Sequence, residues 1–505
     1  MEAVVLFHKG SGEFADINFK EEAFAGITQR LEAKHSMYRI FRHYIPKTIM
    51  MLMIVEIIIF FVSIYLGVIL RFYDWHSFQV YRIEGSLQSI FPRAVVYTLV
   101  MFGMMTTMGL YQRDYREGPK TTFVRIIGSF FIGLLLMSLV FYMAPTLILG
   151  RGAISMSFFC AFIGIISSRF LCFHRTDTAW QRNLLILGVG HSAQLIGRLK
   201  RRTDHRGINL VGFASIGNDK QVVSSEKVIS IGDMSLVDYV ESNNIDEIVV
   251  AFDDRRKNIP VDDILTCKMR GVQIIDVSTF YERQLGKMKL DSLHPSNFIF
   301  ADGFTQAVLK SSGKRVLDVV ASSLLSILLS PFMVLTALAI YVESGFKGPV
   351  IYRQIRVGLN GEEFEILKFR SMTVDAEKDG VAQWAQSNDN RITKVGSFIR
   401  KTRLDELPQL YNVLRGDMSF VGPRPERPQF VSELAKAIEY YEMRHHIKPG
   451  ITGWAQICYP YGASEEDARE KLQYDLYYLK NYSLFLDITI LLQTIQVVLW
   501  SKGGR

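Results

Sequence analysis

The sequence has few cysteines, and they do not form the arrangements that a disulfide framework or a metal site needs. Cys160, Cys172, Cys267 and Cys458 make no CxxC pair and have no metal-ligand spacing, so we interpret them as incidental thiols of a reducing compartment. A nucleic-acid-binding motif is also lacking, and the mixed, charged N-terminus does not predict a cleavable signal peptide. The net charge of +8 therefore indicates anionic lipid or phosphate-bearing ligands, and we expect no nucleic-acid partner.

Long apolar runs are abundant by contrast, in a chain that is 49% hydrophobic. Four of them cover roughly 48–70, 89–111, 124–149 and 153–173. Each approaches or exceeds the ~20 residues that cross a bilayer. Buried core helices are the alternative, but four such runs joined by short loops favour transmembrane helices.

The basic residues between these runs predict their orientation. They precede the first run, lie between the second and third, and follow the fourth: Arg39, Arg42, Lys47, Arg113, Arg116, Lys120, Arg125, Arg175 and Arg182. Because positive loops stay in the cytoplasm, we expect the N-terminus, the middle loop and everything after residue 175 to be cytoplasmic.

Residues 180–305 have the pattern of a doubly wound α/β domain. RNLLILGVGHSAQLIGRLKRR reads as strand, glycine turn and helix, and three further short apolar strands follow. Gly188, Gly190 and Ala193 resemble a dinucleotide fingerprint, but the next strand ends in Phe213-Ala214-Ser215 without the expected acidic residue. We therefore favour a structural, dimerising or regulatory role over nucleotide binding.

A fifth apolar run, 319–342, contains Ser330-Pro331 at its centre. Proline removes a helical hydrogen bond and kinks a helix, and both flanks of this run are basic. These features predict a re-entrant helix over 316–342, a helix–break–helix that enters one leaflet and returns. A kinked helix that spans the bilayer is the alternative.

Basic residues also characterise the segment PVIYRQIRVGLNGEEFEILKFRSM, which is typical of a hairpin with its turn at 358–361. We expect the hairpin to bring together Arg353, Arg356, Lys368 and Arg370. A solvated face on lipid headgroups is one interpretation of this cluster. A clamp for a diphosphate is the other, because arginine forks bind phosphate oxygens bidentately.

Two adjacent carboxylates, Asp405 and Glu406, lie among arginines in TRLDELPQLYNVLRGDMSFVGPRPE. Pro408 is tolerated only in a first helical turn, so we expect a helix to begin near Asp405. The pair is then either a simple helix cap or a nucleophile with a Mg²⁺ ligand next to phosphate groups.

These segments together resemble one family. KRVLDVVAS (314–322), the Ser330-Pro331 pair, the hairpin, the Asp405-Glu406 segment, KPGITGWAQ (448–456) and YDLYYLKNYSLFLDITIL (474–491) resemble the bacterial sugar transferases. These are polyprenyl-phosphate hexose-1-phosphate transferases, also called monotopic phosphoglycosyl transferases. The four spans and the α/β domain are similar to the large form used in exopolysaccharide synthesis.

The resemblance implies a reaction: a UDP-sugar donates its sugar 1-phosphate to polyprenyl (undecaprenyl) phosphate, and UMP is released. It implies that Asp405 attacks the β-phosphate and that Asp405 and Glu406 hold Mg²⁺. The implied substrate-binding residues are Arg353, Lys368, Arg370, Arg403, Pro423, Arg424, Pro425 and Asp475.

The expected architecture is a membrane protein of the bacterial inner membrane. It has an N-terminal extension (1–44), four transmembrane helices (45–175), a cytoplasmic Rossmann-like α/β domain (180–305) and a cytoplasmic α+β catalytic domain (310–505) with the re-entrant helix. The last apolar run, 484–500, is interpreted as an interfacial or core-packing amphipathic helix. We also expect a homodimer, with the bilayer and both substrates as partners.

Two other functions remain as alternatives. A membrane nucleotide-sugar dehydratase would need an intact NAD fingerprint and a Tyr-x-x-x-Lys pair, and no tyrosine here is followed four residues later by lysine. A non-catalytic scaffold for polysaccharide assembly would not need Asp405, Glu406 and the arginines together.

Overall fold

The computed structural model describes residues 37–40, 43–74, 79–80, 90–111, 119–175, 181–199, 204, 207–215, 221–231, 234–253, 259–293, 295, 298, 303–304, 308–373, 391–460, 462 and 464–499. These fall into two compact units, one mainly of residues 173–280, the other mainly of 49–172 and 281–505. Most of the predicted N-terminal extension, and the loop arginines Arg42, Arg113 and Arg116, lie outside the described residues.

The four apolar runs before residue 175 are helices. Their bounds are α1 (Lys47–Phe72), α2 (Ile90–Thr107), α3 (Pro119–Met143) and α4 (Arg151–Arg175), with two short strand pairs, β1 (Met37–Ile40) with β2 (His43–Pro46) and β3 (Tyr73–Asp74) with β4 (Gln79–Val80). All four helices are long and apolar enough to cross a membrane.

One buried ion pair lies inside this bundle. Glu56 on α1 is fully buried, and its Oε1 and Oε2 lie 2.7 and 3.1 Å from Nε and Nη2 of Arg169 on α4. Arg169 Nη1 also donates to the Leu110 carbonyl at 3.3 Å, and the Tyr111 hydroxyl donates to Glu56. Since charges in an apolar bundle need partners, this cluster fixes α1 and α4 against the end of α2.

The unit of residues 173–280 is built on a parallel sheet. Its strands are β5 (Arg182–Leu187), β6 (Ile208–Ala214), β7 (Val228–Ile229), β8 (Glu247–Val250) and β9 (Gln273–Asp276), in the order β7-β6-β5-β8-β9. Its helices are α5 (His191–Gly197), α6 (Leu236–Ser242), α7 (Val261–Met269) and α8 (Val277–Leu285). The predicted parallel α/β domain is thus confirmed.

Asp253 occupies the position in this domain where a dinucleotide fingerprint would hold phosphate. Its two carboxylate oxygens accept from the backbone N–H groups of His191 and Ser192, both at 2.7 Å. A Cβ on Gly190 would lie 2.2 Å from Asp253 Oδ2, so the glycine permits the approach of a carboxylate of the same chain. Burial acts to raise the pKa of Asp253, but the two amides lower it overall.

The last third of the chain combines a long helix with small sheets. Its elements are α9 (Val308–Glu343), β10 (Ile351–Val357), β11 (Glu363–Phe369), α10 (Lys394–Lys401), α11 (Gln409–Arg415), β12 (Ser419–Val421), α12 (Pro428–Ala437), β13 (Gly450–Thr452), α13 (Trp454–Cys458), α14 (Glu465–Lys480) and α15 (Leu484–Leu499). β10 and β11 are antiparallel, and β12 and β13 are parallel. The core centres on Met418, Leu476, Tyr477, Leu486 and Ile490.

Helix α9 continues through Pro331 without a gap in its secondary structure, and its predicted re-entrant path stays a prediction. Pro331 has no N–H for the carbonyl of Ile327, four residues earlier. That carbonyl instead accepts a hydrogen bond from the Ser330 hydroxyl at 2.8 Å. The serine therefore satisfies the group that the proline leaves without a partner, and the helix is not ended.

Both ends of α9 contact the domain that follows it. Near the start, Arg315 donates to the carbonyls of Val413 and Leu414 at the end of α11, both at 2.6 Å. Near the other end, Glu343 accepts from the Val395 N–H at 3.0 Å. Between them lie exposed apolar side chains, among them Leu324, Ile327, Leu328 and Leu335.

The last helix, α15, packs into the domain and against α2. Asp487, Leu486 and Ile490 are fully buried or nearly so. The sequence predicts either an interfacial or a core-packing helix here, and the burial of these three residues is that of a core-packing helix.

Candidate active site

The β10–β11 hairpin divides the basic residues that the sequence groups together. Arg356 is paired with Phe364 and Lys368 with Tyr352, so both side chains lie on one face. Arg353 is paired with Leu367, which places it on the opposite face. There its side chain is 68% exposed and lies 3.4 Å from Glu365. The prediction that the hairpin gathers all four cations is therefore wrong for Arg353, because alternate residues of a strand point to opposite faces.

Asp405 and Glu406 lie in a 3₁₀ turn, Leu404–Glu406, and the helix α11 begins only at Gln409. The sequence predicts a helix that begins near Asp405; a 3₁₀ turn covers this position, and the α-helix begins four residues later. Pro408 cannot donate to the Leu404 carbonyl, and the turn closes instead by a bond from the Leu407 N–H to that carbonyl at 3.2 Å.

Arg403, just before this turn, has a left-handed backbone with φ of 59°. Such a conformation is uncommon for a residue with a side chain and is found at sites where the surroundings enforce it. It brings the guanidinium back over the turn, with Nη1 3.7 Å from Glu406 Oε1.

Glu406 is the centre of the cation cluster. Its Oε1 lies 2.9 Å from Arg424 Nη2 and 3.7 Å from both Lys368 Nζ and Arg403 Nη1. Three of the predicted phosphate-binding side chains therefore converge on one carboxylate oxygen. The side chain of Glu406 is 11% exposed.

The pKa values of Glu406 and Lys368 are both lowered, for different physical reasons. Burial acts to raise the pKa of Glu406, but Arg424, Lys368 and Arg403 outweigh it and lower the pKa to about 2. Burial lowers the pKa of Lys368 to about 8, with Glu406 opposing and Arg424 and Arg356 adding to the effect. Glu406 is consequently ionised at neutral pH, and Lys368 titrates within the range in which enzymes are assayed.

Asp405 differs from its neighbour. Its Oδ1 is buried and accepts no hydrogen bond from the residues that the structure describes. Burial and the charge of Glu406 raise its pKa, while Lys368, Arg403 and Arg400 act to lower it. A buried carboxylate oxygen without such a partner is costly to maintain, and this distinguishes Asp405 from Glu406.

Arg424 belongs to the Gly-Pro-Arg-Pro loop, which rests on the KPGITGWAQ segment. A Cβ on Gly450 would lie 2.1 Å from the Gly422 nitrogen, and a Cβ on Gly453 would lie 2.2 Å from the Gly422 carbonyl oxygen. Both glycines therefore permit close backbone approach. The predicted residues Pro423 and Pro425 flank the arginine in this loop.

Arg370 has its hydrogen bond outside the Asp405-Glu406 pair. It is 9% exposed, Nη2 donates to the Lys347 carbonyl at 3.3 Å, and Nη1 is buried without a hydrogen bond among the described residues. Next to it, Arg400 Nε donates to the Ser371 hydroxyl at 2.9 Å. These two arginines lie beside the end of α9, and Arg400 is also among the charges that act on Asp405.

Asp475 is not brought to the dyad either. It is 2% exposed on α14, and its Oδ2 lies 2.9 Å from Arg444 Nη2. Its predicted contact with substrate stays a prediction, whereas its contact with Arg444 is a feature of the fold.

Sequence reasoning did not single out Asn412, which fixes α11 to the hairpin. Its amide accepts from the Leu367 N–H at 3.0 Å and donates to the Glu365 carbonyl at 2.7 Å. The signal in the sequence was an amide residue within a run of apolar residues, seven positions after Asp405.

A magnesium site would have to be completed by substrate. Within the described ranges, no group of three or more His, Cys, Asp or Glu side chains could hold a metal. One or two carboxylates plus substrate phosphates are nevertheless the usual ligands of Mg²⁺ in nucleotide sites, and the free oxygen of Asp405 fits that requirement.

The fold and the site define a membrane-attached protein with a carboxylate pair inside a cluster of cations suited to phosphate groups. The comparisons with known proteins agree. The family model of bacterial sugar transferases matches residues 309–501, and that of a CoA-binding domain matches 106–266.

Three similar proteins illustrate the match. UDP-N-acetylgalactosamine-undecaprenyl-phosphate N-acetylgalactosaminephosphotransferase of Aeromonas hydrophila is 41% identical over 47% of this chain and 55% of its own length. UDP-glucose:undecaprenyl-phosphate glucose-1-phosphate transferase of Xanthomonas campestris pv. campestris is 32% identical over 70% of this chain and 75% of its own. The protein of the same name from Klebsiella pneumoniae is 46% identical over 36% and 39%.

The chain belongs to the bacterial sugar transferase family, as the sequence predicts. The predicted enzyme class, a sugar-1-phosphate transferase acting on undecaprenyl phosphate, is the one that these relatives' names give. The chain spans only about half the length of the first of them and about two fifths of the third.

Proposed function

We propose that this protein transfers a sugar 1-phosphate from a UDP-sugar to undecaprenyl phosphate and releases UMP, the step that begins a polysaccharide repeat unit. The observation that carries the proposal is the contrast within the dyad. Glu406 is held by three cations, whereas one oxygen of the Asp405 carboxylate beside it has no hydrogen-bond partner among the residues that the structure describes.

In the first step, a carboxylate oxygen of Asp405 attacks the β-phosphorus of the donor. The bond between this phosphorus and the bridging oxygen breaks, and UMP leaves with that oxygen. In the second step, a phosphate oxygen of the lipid attacks the same phosphorus, and the bond to Asp405 breaks. Nucleophilic carboxylates that form acyl phosphates are an established solution, and the ionised form of Asp405 is required.

The cations supply the electrostatic part of this mechanism. Lys368, Arg403 and Arg424 surround Glu406 and lie where the oxygens of a diphosphate would bring negative charge. The Arg424 fork suits two phosphate oxygens, while the ammonium of Lys368 acts as a point charge. Mg²⁺ bound by Asp405, with Glu406, would neutralise further charge of the donor.

The acceptor approaches from the membrane, and α9 marks that side. Arg315 and Glu343 near its two ends contact the same domain, and the apolar middle is exposed. A straight helix of 36 residues would extend about 54 Å and, crossing a bilayer, would separate its ends by about 30 Å of hydrocarbon. We infer that α9 bends at Pro331 and is re-entrant, so that both ends and the site stay on the cytoplasmic face of the inner membrane, with α1 to α4 as spans.

Arg370 and Arg400 are suited to the lipid phosphate. They lie at the end of α9, and Arg400 also acts on Asp405. We assign to them the phosphate of the acceptor, while the cations around Glu406 take the donor. A homodimer remains part of the proposal.

The test is UMP release by the purified full chain in nanodiscs with Mg²⁺, undecaprenyl phosphate and a panel of UDP-glucose, UDP-galactose and UDP-N-acetylgalactosamine. We expect lipid-dependent UMP from at least one donor, and its loss in Asp405→Asn. Asp262→Asn, an exposed carboxylate in the α/β domain, is the matched control and should keep wild-type activity. Activity that survives Asp405→Asn contradicts the nucleophile, and silence with every donor contradicts the reaction and favours a scaffold.

A further inference from the structure

The Gly-Pro-Arg-Pro loop is held by hydrogen bonds to four consecutive carbonyls. Pro423 O accepts from the Gly450 N–H at 2.9 Å and Glu426 O from the Val357 N–H at 3.0 Å. Between them, Arg424 O accepts from Arg444 and Pro425 O from Arg356, both at 3.0 Å. Because the two prolines have no N–H groups, these carbonyls are the loop's principal means of attachment, and two of the four depend on arginine side chains.

Arg444 contacts the backbone carbonyl group of Arg424. Its side chain is 7% exposed, and its Nη1 donates to the Tyr441 hydroxyl at 2.7 Å. Its Nη2 donates a hydrogen bond to the Arg424 carbonyl oxygen at 3.0 Å and forms an ion pair with Asp475 Oδ2 at 2.9 Å, a contact that does not have hydrogen-bond geometry. A single nitrogen thus links a buried carboxylate to the backbone of the residue whose side chain reaches Glu406 at 2.9 Å.

We propose that Arg444, oriented by Asp475, is a positioning residue for donor binding: it fixes the backbone of Arg424 so that this guanidinium meets the donor diphosphate beside Glu406. The inference rests on the proposed function. It assigns Asp475 a place behind the site in the chain Asp475–Arg444–Arg424–Glu406, and direct contact with substrate is not required.

The geometry makes Arg444 difficult to replace. A lysine has no planar fork, so its one nitrogen cannot reach the tyrosine, the carboxylate and the carbonyl in the same geometry. Losing one hydrogen bond from a charged donor allows the loop to move, and a guanidinium displaced by about 1 Å can cost a large factor in rate.

The pH dependence of the charge on Asp475 offers a second test of the proposal. It is faced by Arg444 and Tyr441 from the 3₁₀ helix 441–446, by Glu426 from the loop, and by Lys471 on its own helix. Burial raises its pKa to about 6, with Arg444 opposing. Asp475 therefore carries its charge, and orients Arg444, above about pH 6, and loses it as the pH falls.

The experiment measures kcat and KM for the UDP-sugar in wild type, Arg444→Lys, Asp475→Asn, Arg424→Lys and the double variant Arg424→Lys/Arg444→Lys. For Arg444→Lys we expect kcat/KM to fall about tenfold or more, the loss typical of one hydrogen bond from a charged group, with KM for undecaprenyl phosphate unchanged. In the Arg424→Lys background the same change should have little further effect, because its target has gone. Thermal unfolding of each variant identifies any that do not fold.

Arg182→Lys is the matched control, since Arg182 and Glu247 form a similarly buried pair at 2.8 Å in the α/β domain. It should change thermal stability without changing donor kinetics. For Asp475→Asn, the deficit relative to wild type should be present at pH 8 and should shrink towards none below about pH 6, where wild-type Asp475 is itself neutral.

Two kinds of failure can be told apart. If the wild type releases no UMP, the proposed function is contradicted and the inference loses its basis. If the wild type turns over but Arg444→Lys and Arg424→Lys combine as independent factors, or the Asp475→Asn deficit is the same at every pH, Arg444 serves the stability of the domain and the inference alone is overturned.

Discussion

Lys314 and Asp487 form an ion pair of 2.9 Å that joins the beginning of α9 to the last helix of the chain. Both are buried, and the Lys314 ammonium also donates to the Tyr478 hydroxyl and the Val421 carbonyl, each at 2.8 Å. Asp318, one turn further along α9, accepts from the Ser419 hydroxyl and the Phe420 N–H, both at 3.0 Å. The KRVLDVVAS segment is thus the attachment of the long helix to β12.

This attachment predicts strong coupling between Lys314 and Asp487. Removing one partner, in Lys314→Met or Asp487→Leu, leaves a buried charge uncompensated and should cost about 3–5 kcal/mol of stability. The double variant should lose less than the sum of the two, measured by thermal unfolding in nanodiscs. Asp291→Asn, which alters partly exposed pairs with Lys289 and Arg469, should cost about 1 kcal/mol or less. Additive losses in the double variant would contradict the coupling.

The proposed mechanism predicts a covalent intermediate on Asp405. Wild-type protein given UDP-sugar labelled in the sugar, without undecaprenyl phosphate, should release at most one UMP per chain and retain the label. The retained label should be released by hydroxylamine, as expected of an acyl phosphate, and should move to lipid when undecaprenyl phosphate is added. Asp405→Asn should retain none, whereas Glu406→Gln, which keeps the nucleophile, should still acquire label more slowly. Label retained by Asp405→Asn would place the nucleophile elsewhere.

The lowered pKa of Lys368 predicts how kcat/KM for the donor changes at alkaline pH. Its pKa is lowered from the ordinary lysine value to about 8, so its charge is present below pH 8 and is lost as the pH rises through that value. Donor kcat/KM should therefore decline above about pH 8. Lys368→Arg keeps its charge throughout and should remove this decline, even where it lowers the activity at pH 7. A decline that persists unchanged in Lys368→Arg would assign it to another group.

Sequence alone located the dyad and its cations because Asp405, Glu406 and Arg403 are neighbours in one turn and Arg424 follows in a rigid loop. The sequence groups Arg353 with Lys368 because both lie in the same hairpin. Alternate side chains of a strand point to opposite faces, however, and the strand register places Arg353 on the other face. The pairing of Asp475 with Arg444 and of Lys314 with Asp487 could not be predicted, since these pairs depend on how separate helices pack. From the Ser330-Pro331 pair the sequence predicts a break, whereas the helix continues because the Ser330 hydroxyl satisfies the Ile327 carbonyl, a contact that only side-chain geometry reveals.

The proposed re-entrant path of α9 predicts that both of its ends are accessible from the cytoplasmic side. If the helix bends at Pro331 and returns, single cysteines at Ser312 and at Gly348, introduced into a chain whose four native cysteines are replaced by serine or alanine, should both react with a membrane-impermeant maleimide added from the cytoplasmic side of inverted vesicles. Both should be protected in intact spheroplasts. A cysteine at Tyr142, an exposed residue at the end of α3, is the control, since the predicted orientation places it on the outer face and gives the opposite pattern. Ser312 and Gly348 reacting from opposite sides would make α9 a spanning helix and would separate Glu343 and Arg315 across the bilayer. That result would conflict with the contacts that both make to a single domain.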